Sequence, residues 1–346
     1  MTTVHPHRAH RPAPWANRLV LSVLGSAFGV LLSRKLCALR YVTSHGALVF
    51  PVQYARSGGR IVVVAGNPER KRWWRHFTTP AAVEVRLAGQ WVTGTGHLLA
   101  GADRTTALAD YRRAYPRAAL SGDLPVVAFD APEPRLAGTA LVRSWFAVVT
   151  VCEFFGFAVP IIVGALTAGS AATLSVPALV AAGAVEGAAL GWGQATVLQR
   201  ALPDLRRRNW VLATAGAAML AYLLGLGPTT WAEAVLSWPV PAVMAAVAVL
   251  GGGVLASLGT AQWAVLRRHV PRAGWWIAVT AAAWLIGLGV FLGFATPLWQ
   301  PGQPVAVTVL IGAAGGLLMA ATTSAITGLG LRRLLRHGRG TRWTSG

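Results

Sequence analysis

"GAVEGAALGWGQATVLQRALP" (183–203) and "GGGVLASLGTAQWAVLRRHVP" (251–271) align without a gap at a shift of 68 residues. Gly183, Gly191, Gln194, Val197, Leu198, Arg200 and Pro203 fall on Gly251, Gly259, Gln262, Val265, Leu266, Arg268 and Pro271. A weaker third copy ends at "LGLRRLLR" (329–336). Each copy is a glycine-rich apolar helix that runs into arginines. Small residues four apart, as at Gly183, Gly187 and Gly191, let helix backbones approach closely. The pattern predicts a tightly packed bundle built from repeats.

Outward from the repeat, six apolar stretches, roughly 145–168, 174–197, 210–227, 239–265, 274–297 and 305–330, are each long enough to cross ~30 Å of hydrocarbon. The loops between them alternate in charge. "TAGSAATLS" and "TPLWQPGQP" carry none and "GPTTWAEAVLSWP" has only Glu233, whereas "QRALPDLRRRN", "RRHVPR" and the tail "RRLLRHGRGTR" are basic. The positive-inside rule then puts the basic loops and both termini in the cytoplasm of a multi-pass membrane protein. Composition agrees: 54% of the 346 residues are hydrophobic and 12% charged. Of the net charge of +20, the arginines of residues 144–346 sit in short clusters between apolar runs, which is topology information and not a polyanion-binding stripe, so no nucleic-acid partner is expected. Cys37 and Cys152, far apart, support neither a disulfide framework nor a zinc site. The 15-residue run "LVLSVLGSAFGVLLS" (19–33) is short for a span and reads as an amphiphilic or buried helix on the membrane surface. A signal or anchor segment is the other reading, and it would reverse the topology.

Polar groups inside the spans are costly in lipid and therefore informative. Glu153, Glu186, and the repeat-equivalent Gln194 and Gln262 are the candidates. They form either a proton, ion or quinone path, or hydrogen-bonded glue between helices. Neither glutamate recurs in the other copies and no intramembrane lysine or histidine is present to pair with them, which favours glue. The membrane half resembles repeated helical-hairpin membrane proteins of bacteria that carry an "AQW-x-VLRR" stretch; that resemblance implies no activity.

Residues 37–130 change period. "ALRYVT" (38–43), "LVFPVQYA" (48–55), "RIVVVAG" (60–66), "AVEVRLA" (82–88), "WVTGTGHLL" (91–99) and "PVVAFD" (125–130) are short and rich in β-branched or aromatic residues. "SGG" (57–59) and "AGQ" (88–90) read as hairpin turns. Helical pieces are expected around "ERKRWWRHF" and over "DRTTALADYRRAY" (103–115), with Asp103 as its cap. The fold class is therefore α+β: a six-stranded, mostly antiparallel barrel, then an all-α six-span bundle with internal repeats. The domain boundaries read as 1–36 for the basic segment and amphiphilic helix, 37–135 for the barrel, 136–144 for a linker, 145–330 for the spans and 331–346 for a basic tail.

The order "NRLV…VTSHGALVFPVQYARSGGRIVVVAGNPERKRWWRHFTTPAAVEVRLAGQWVTGTGHLL…YRRAYPRA…LPVVAFD" resembles the deazaflavin-dependent nitroreductase family of split β-barrel flavin and deazaflavin reductases. Pro51 leads the second strand, and Val62 to Gly66 match the third. Trp73 to Phe77 fall on the family's aromatic helix, Pro80 to Val85 on the next strand, and Ala114, Tyr115 and Pro116 on its "Ala-Tyr-Pro" segment. The resemblance covers residues 17–130. It implies a deazaflavin coenzyme, or FMN as the alternative, in a groove rimmed by His45, Gly46, Ala65, Gly66, Asn67, Arg70, Lys71, Arg72 and Trp74. It also implies a substrate pocket at Tyr54, His76 and Tyr115, and hydride transfer to a lipophilic acceptor such as a quinone. Homodimers are common among split barrels, so a second copy is one expected partner besides the bilayer. The family's basic pair before the second strand is replaced by Ser44, His45 and Gly46, so the 70–75 cations would have to take over the cofactor phosphate. Most of the family's late tyrosines are missing, with Ala118 and Ser121 downstream of Tyr115.

For "ERKRWWRHF" itself, forked arginine contacts suit a phosphodiester and carboxylates. A basic-aromatic helix lying on anionic lipid fits the same residues. No metal-ligand spacing or glycine-rich phosphate loop is present. The alternative to a reductase is a catalytically degenerate barrel on a bundle that serves as sensor, transporter component or scaffold.

Overall fold

The structure, a computed structural model, describes residues 14–44, 46–118, 120, 123–227 and 237–340. His45, Ser121 and Glu233 lie outside the described residues. The chain forms two compact units, divided between Pro134 and Arg135.

In the first unit, helices α1 (Pro14–Gly25) and α2 (Gly29–Leu32) precede seven strands: β1 (Leu36–Thr43), β2 (Gly46–Gln53), β3 (Ala55–Ser57), β4 (Arg60–Val64), β5 (Ala81–Leu87), β6 (Gln90–Leu98) and β7 (Val126–Asp130). A 3₁₀ helix (Arg72–Phe77) follows β4, and α3 (Gly101–Ala114) follows β6. The strands form one antiparallel sheet in the order β2-β1-β5-β6-β7-β4-β3. The edge strands β2 and β3 are separated in sequence by Tyr54 alone, so the sheet curls until its two ends become one bent run of chain. This is why seven strands replace the six expected: the second segment breaks at Tyr54. Its backbone N–H bonds Lys35 O at 3.1 Å, one step past the β1–β2 ladder, its hydroxyl donates to Ser33 O at 2.6 Å, and from Ala55 the chain pairs with β4 instead.

Odd-numbered residues of β1, β4, β5 and β7 face the concave core: Leu39, Tyr41, Ile61, Val63, Val83, Val85, Val127 and Phe129. Even-numbered Val62, Val64, Val126 and Ala128 pack under α3 on Ala107, Leu108 and Tyr111. This two-faced burial is what makes these strands read as continuous apolar runs. Two hairpin turns set the register: Gly58 and Gly59 (φ +57° and +81°) between β3 and β4, and Ala88 and Gly89 (φ +48° and +79°) between β5 and β6. Positive φ at both central residues is the geometry that matches strand twist. The strained Ala88 is held by its N–H donating to Ser33 Oγ at 2.7 Å.

Two local readings change. The run 19–33 is broken into α1 and α2 at a turn closed by Gly29 N–H on Ser26 O, and Leu24 and Val30 are buried. Helix α3 begins two residues before Asp103, with Ala100 as its N-cap; Asp103 instead pairs with Arg60 at 3.4 Å.

The second unit contains α4 (Gly138–Thr167), α5 (Ala172–Ala201), α6 (Arg207–Leu226), α7 (Val240–Leu266), α8 (Trp275–Ala295) and α9 (Val305–Gly340). All six are long and apolar enough to cross a membrane, as expected of a multi-pass membrane protein. Each packs on the next in chain order and α9 packs back on α4, so the six form a closed ring of three hairpins. Close approach depends on the repeated glycines. A Cβ on Gly187 would stand 2.6 Å from the Ala218 Cβ, and one on Gly259 would stand 2.9 Å from the Ile277 Cα.

Candidate functional site

The cation cluster of the first unit follows the turn after β4. Ala65 is buried, Gly66 has open space where a Cβ would go, and Asn67 adopts φ +63°. The Asn67 carbonyl accepts from the N–H groups of Arg70 (3.1 Å) and Lys71 (3.0 Å), which fixes the turn. Arg70, Lys71 and Arg72 are exposed and form no ion pair among the described residues. Elsewhere in this unit Arg40, Arg56, Arg60, Arg104 and Arg113 each pair with a carboxylate. Beneath the cluster, Phe77 is fully buried, and Trp73 and Trp74 pack on the core beside it. Trp74 Nε1–H donates to Pro68 O at 3.2 Å, and the Arg75 guanidinium lies 5.5 Å from its ring centroid. Gly46, across the gap at His45, opens β2 at φ +113°.

The three expected pocket residues separate. Tyr115 and Tyr54 meet, with the Tyr115 hydroxyl donating to Tyr54 O at 2.6 Å, and the Tyr54 hydroxyl is itself committed to Ser33 O. Burial pushes the Tyr115 hydroxyl above the ordinary phenol range, partly opposed by a hydrogen bond with Gln53. Its neighbour Tyr111 is pushed up to about 12 by burial and then by Tyr115. His76 instead stacks on Tyr41, with ring centroids 4.4 Å apart and planes at 24°. Tyr41 lies five residues along β1 from Leu36, so this histidine is on the order of 16 Å of strand away from the tyrosine pair. Cys37 is fully buried, and desolvation drives its thiol far up. No group of three or more potential metal ligands occurs among the described residues.

In the second unit the repeat-equivalent glutamines are joined directly. Gln262 Nε2 donates to Gln194 Oε1 at 2.7 Å and to Thr214 Oγ1 at 3.1 Å. Each glutamine also accepts from an indole N–H on the following hairpin: Trp210 to Gln194 Oε1 at 3.0 Å and Trp276 to Gln262 Oε1 at 2.9 Å. The third copy completes the set, with Trp145 Nε1–H donating to Thr327 Oγ1 at 2.9 Å, which closes the ring from last hairpin to first. Trp145, Trp210 and Trp276 are the three largest fully buried side chains among the described residues. Trp276 lies between the other two, with centroids 6.0 Å from Trp145 and 6.4 Å from Trp210. Sequence reasoning missed these tryptophans. The available signal was a tryptophan 16 residues after Gln194 and 14 after Gln262.

Eight residues before the three acceptors stand Glu186, Val254 and Met319; twelve after the three tryptophans stand Phe157, Tyr222 and Leu288. All six line one cavity of about 450 Å³ that takes residues from every helix of the ring. It therefore lies on the pseudo-threefold axis, on the order of 12 Å by helical rise from the acceptors Gln194, Gln262 and Thr327. The two glutamates differ here. Glu153 does not line the cavity, and the Thr323 hydroxyl lies within hydrogen-bond reach of both its oxygens, 2.7 and 2.9 Å. Glu186 does line it and accepts from the Tyr222 hydroxyl through Oε2 at 2.8 Å. No protein-family model matches the chain, and no curated protein matches it.

Proposed function

We propose that the first unit is a cofactor-binding barrel of the deazaflavin-dependent reductase type, with FMN as the alternative cofactor. In this reading it serves a lipophilic acceptor such as a quinone at the cytoplasmic face of the membrane. The observation that carries the reading is the trio Arg70, Lys71 and Arg72. They are exposed beside an open glycine turn and form no ion pair among the described residues, whereas Arg40, Arg56, Arg60, Arg104 and Arg113 of the same unit do. Guanidinium forks and an ammonium on one turn match a phosphate-bearing anion in charge and donor count. When bound, the cofactor supplies the hydride chemistry. The chain's own part is to hold the anionic tail with Arg70, Lys71 and Arg72, and to close off the apolar interior behind it with Trp73, Trp74 and Phe77. The Tyr54 and Tyr115 hydroxyls, both committed to backbone carbonyls, brace the sheet where it closes and are not proton donors to substrate in this reading.

The test is fluorescence titration of the full-length protein in detergent with deazaflavin coenzyme and with FMN. Saturable binding of one of them, weakened at least about tenfold in Arg70→Ala/Arg72→Ala, is the expected result. Binding of neither overturns it. Reduction of a menaquinone analogue by the loaded protein is the second measurement.

A second reading, in which the bundle carries the function and the barrel is a scaffold or sensor, is favoured by the axial cavity and its carboxylate.

A further inference from the structure

The axial cavity has the chemistry of a ligand site. Its volume of about 450 Å³ falls within the ~300–1,000 Å³ common for small-molecule pockets. Its walls are apolar and partly aromatic: Phe157 and Trp284 meet edge-on with centroids 6.1 Å apart, and Tyr222 faces the same space. Ser257, one of its few polar residues, spends its hydroxyl proton on Val254 O at 2.8 Å and so offers only lone pairs. Glu186 is the one carboxylate of the lining; it is 6% exposed and holds a single hydrogen bond, on Oε2.

No ion pair reaches Glu186, and among the described residues the arginines of this unit stand at the tryptophan end of the ring, not beside the cavity. A carboxylate taken out of water without a counter-charge is expensive, and its positioned lone pairs accept but do not donate. Aromatic faces beside a carboxylate are the combination that attracts a desolvated organic cation. Glu153 provides an internal contrast: it too has a hydroxyl donor, Thr323, but it stays out of the cavity.

We propose that the axial cavity binds an apolar organic cation, such as a protonated lipophilic amine, with Glu186 as its counter-ion and Phe157, Tyr222 and Trp284 around its apolar body. The site is independent of the barrel's cofactor chemistry.

The test is equilibrium dialysis of the full-length protein in detergent against tetraphenylphosphonium and its near-isosteric anion tetraphenylborate, each corrected for uptake by protein-free micelles. The expected result is saturable phosphonium binding at least about tenfold tighter than borate binding. Glu186→Gln, which keeps an acceptor for the Tyr222 hydroxyl, should abolish that preference, and Glu153→Gln should leave it intact. Ala221→Trp fills the cavity while sparing Glu186 and should abolish binding of both ions. Equal affinity for the two ions in the unaltered protein overturns the proposal whatever the variants do. So does a preference that survives Glu186→Gln, one that is lost equally in Glu153→Gln, or binding that survives Ala221→Trp.

Discussion

The two units put their polarity in opposite places. The barrel's centre is hydrocarbon, with Phe77 at its heart, edge-on to Phe129 at 5.2 Å and to Tyr41 at 5.4 Å, while its ion pairs lie at partly or fully exposed positions. The bundle's centre is a hydrogen-bonded set of amides, hydroxyls and indoles, while Phe155, Leu166, Val249 and Leu310 on its outside are more than 60% exposed. Water drives apolar groups together and so decides the barrel's interior. Lipid removes that drive, and what remains to pin helices is close packing and polar contact.

Phe77→Ala tests this contrast most severely. It should destabilise the first unit by about 3–5 kcal/mol, because the side chain fills space that Gly96 leaves open for it: a Cβ on Gly96 would stand 2.6 Å from Phe77 Cδ1. Hydrogen exchange of the strand amides reads that loss, and the bundle's amides should be unaffected. Next comes Gln262→Leu, which strands the Trp276 indole, leaves Gln194 Oε1 with only its Trp210 donor, and should lower bundle stability by about 2 kcal/mol, measured by thermal unfolding in detergent. An effect near zero would mean that packing alone holds the ring. Gly187→Ala should cost about 1–2 kcal/mol by forcing α5 from α6, whereas Gly216→Ala, with open space at its Cβ, should be neutral or slightly stabilising. The smallest effect expected is at the barrel rim. The hydrogen bond from Arg40, and then the charge of Arg40, hold the Glu84 carboxyl below its usual range. Its contribution is therefore present above the unfolded-state value and lost as pH falls through the folded one. Unfolding midpoints should show Glu84→Gln slightly destabilised at neutral pH and level with the parent protein once the pH is below the folded-state value of Glu84.

Much of this was legible in residue order, because period alone separates a strand from a span. The spans and the strand segments fall where hydropathy and β-branching put them, and Gln194 and Gln262 stood out as equivalent. What stayed hidden depends on tertiary contact. Nothing local marks Tyr54 as the point where one strand becomes two, since the break is a change of pairing partner from β1 to β4. Ring closure was invisible because Thr327 stands in the place of a glutamine, and its donor, Trp145, is 182 residues earlier. The sequence also could not separate Glu186 from Glu153, since only the placement of Thr323 and Tyr222 distinguishes them. His76 and Tyr115, both read as lining a substrate pocket, make their ring contacts with different residues, Tyr41 and Tyr111.

The joint between Trp145 and Thr327 also bears on assembly. Each helical hairpin carries a donor on one flank and its acceptor on the other, which is a head-to-tail arrangement that shuts after three steps instead of growing into a filament. One hairpin by itself carries both halves of the joint. The present chain achieves the same closure with covalent linkers, and that frees its three copies to diverge, so that a single carboxylate can sit off-centre on an axis that would otherwise have to bear three.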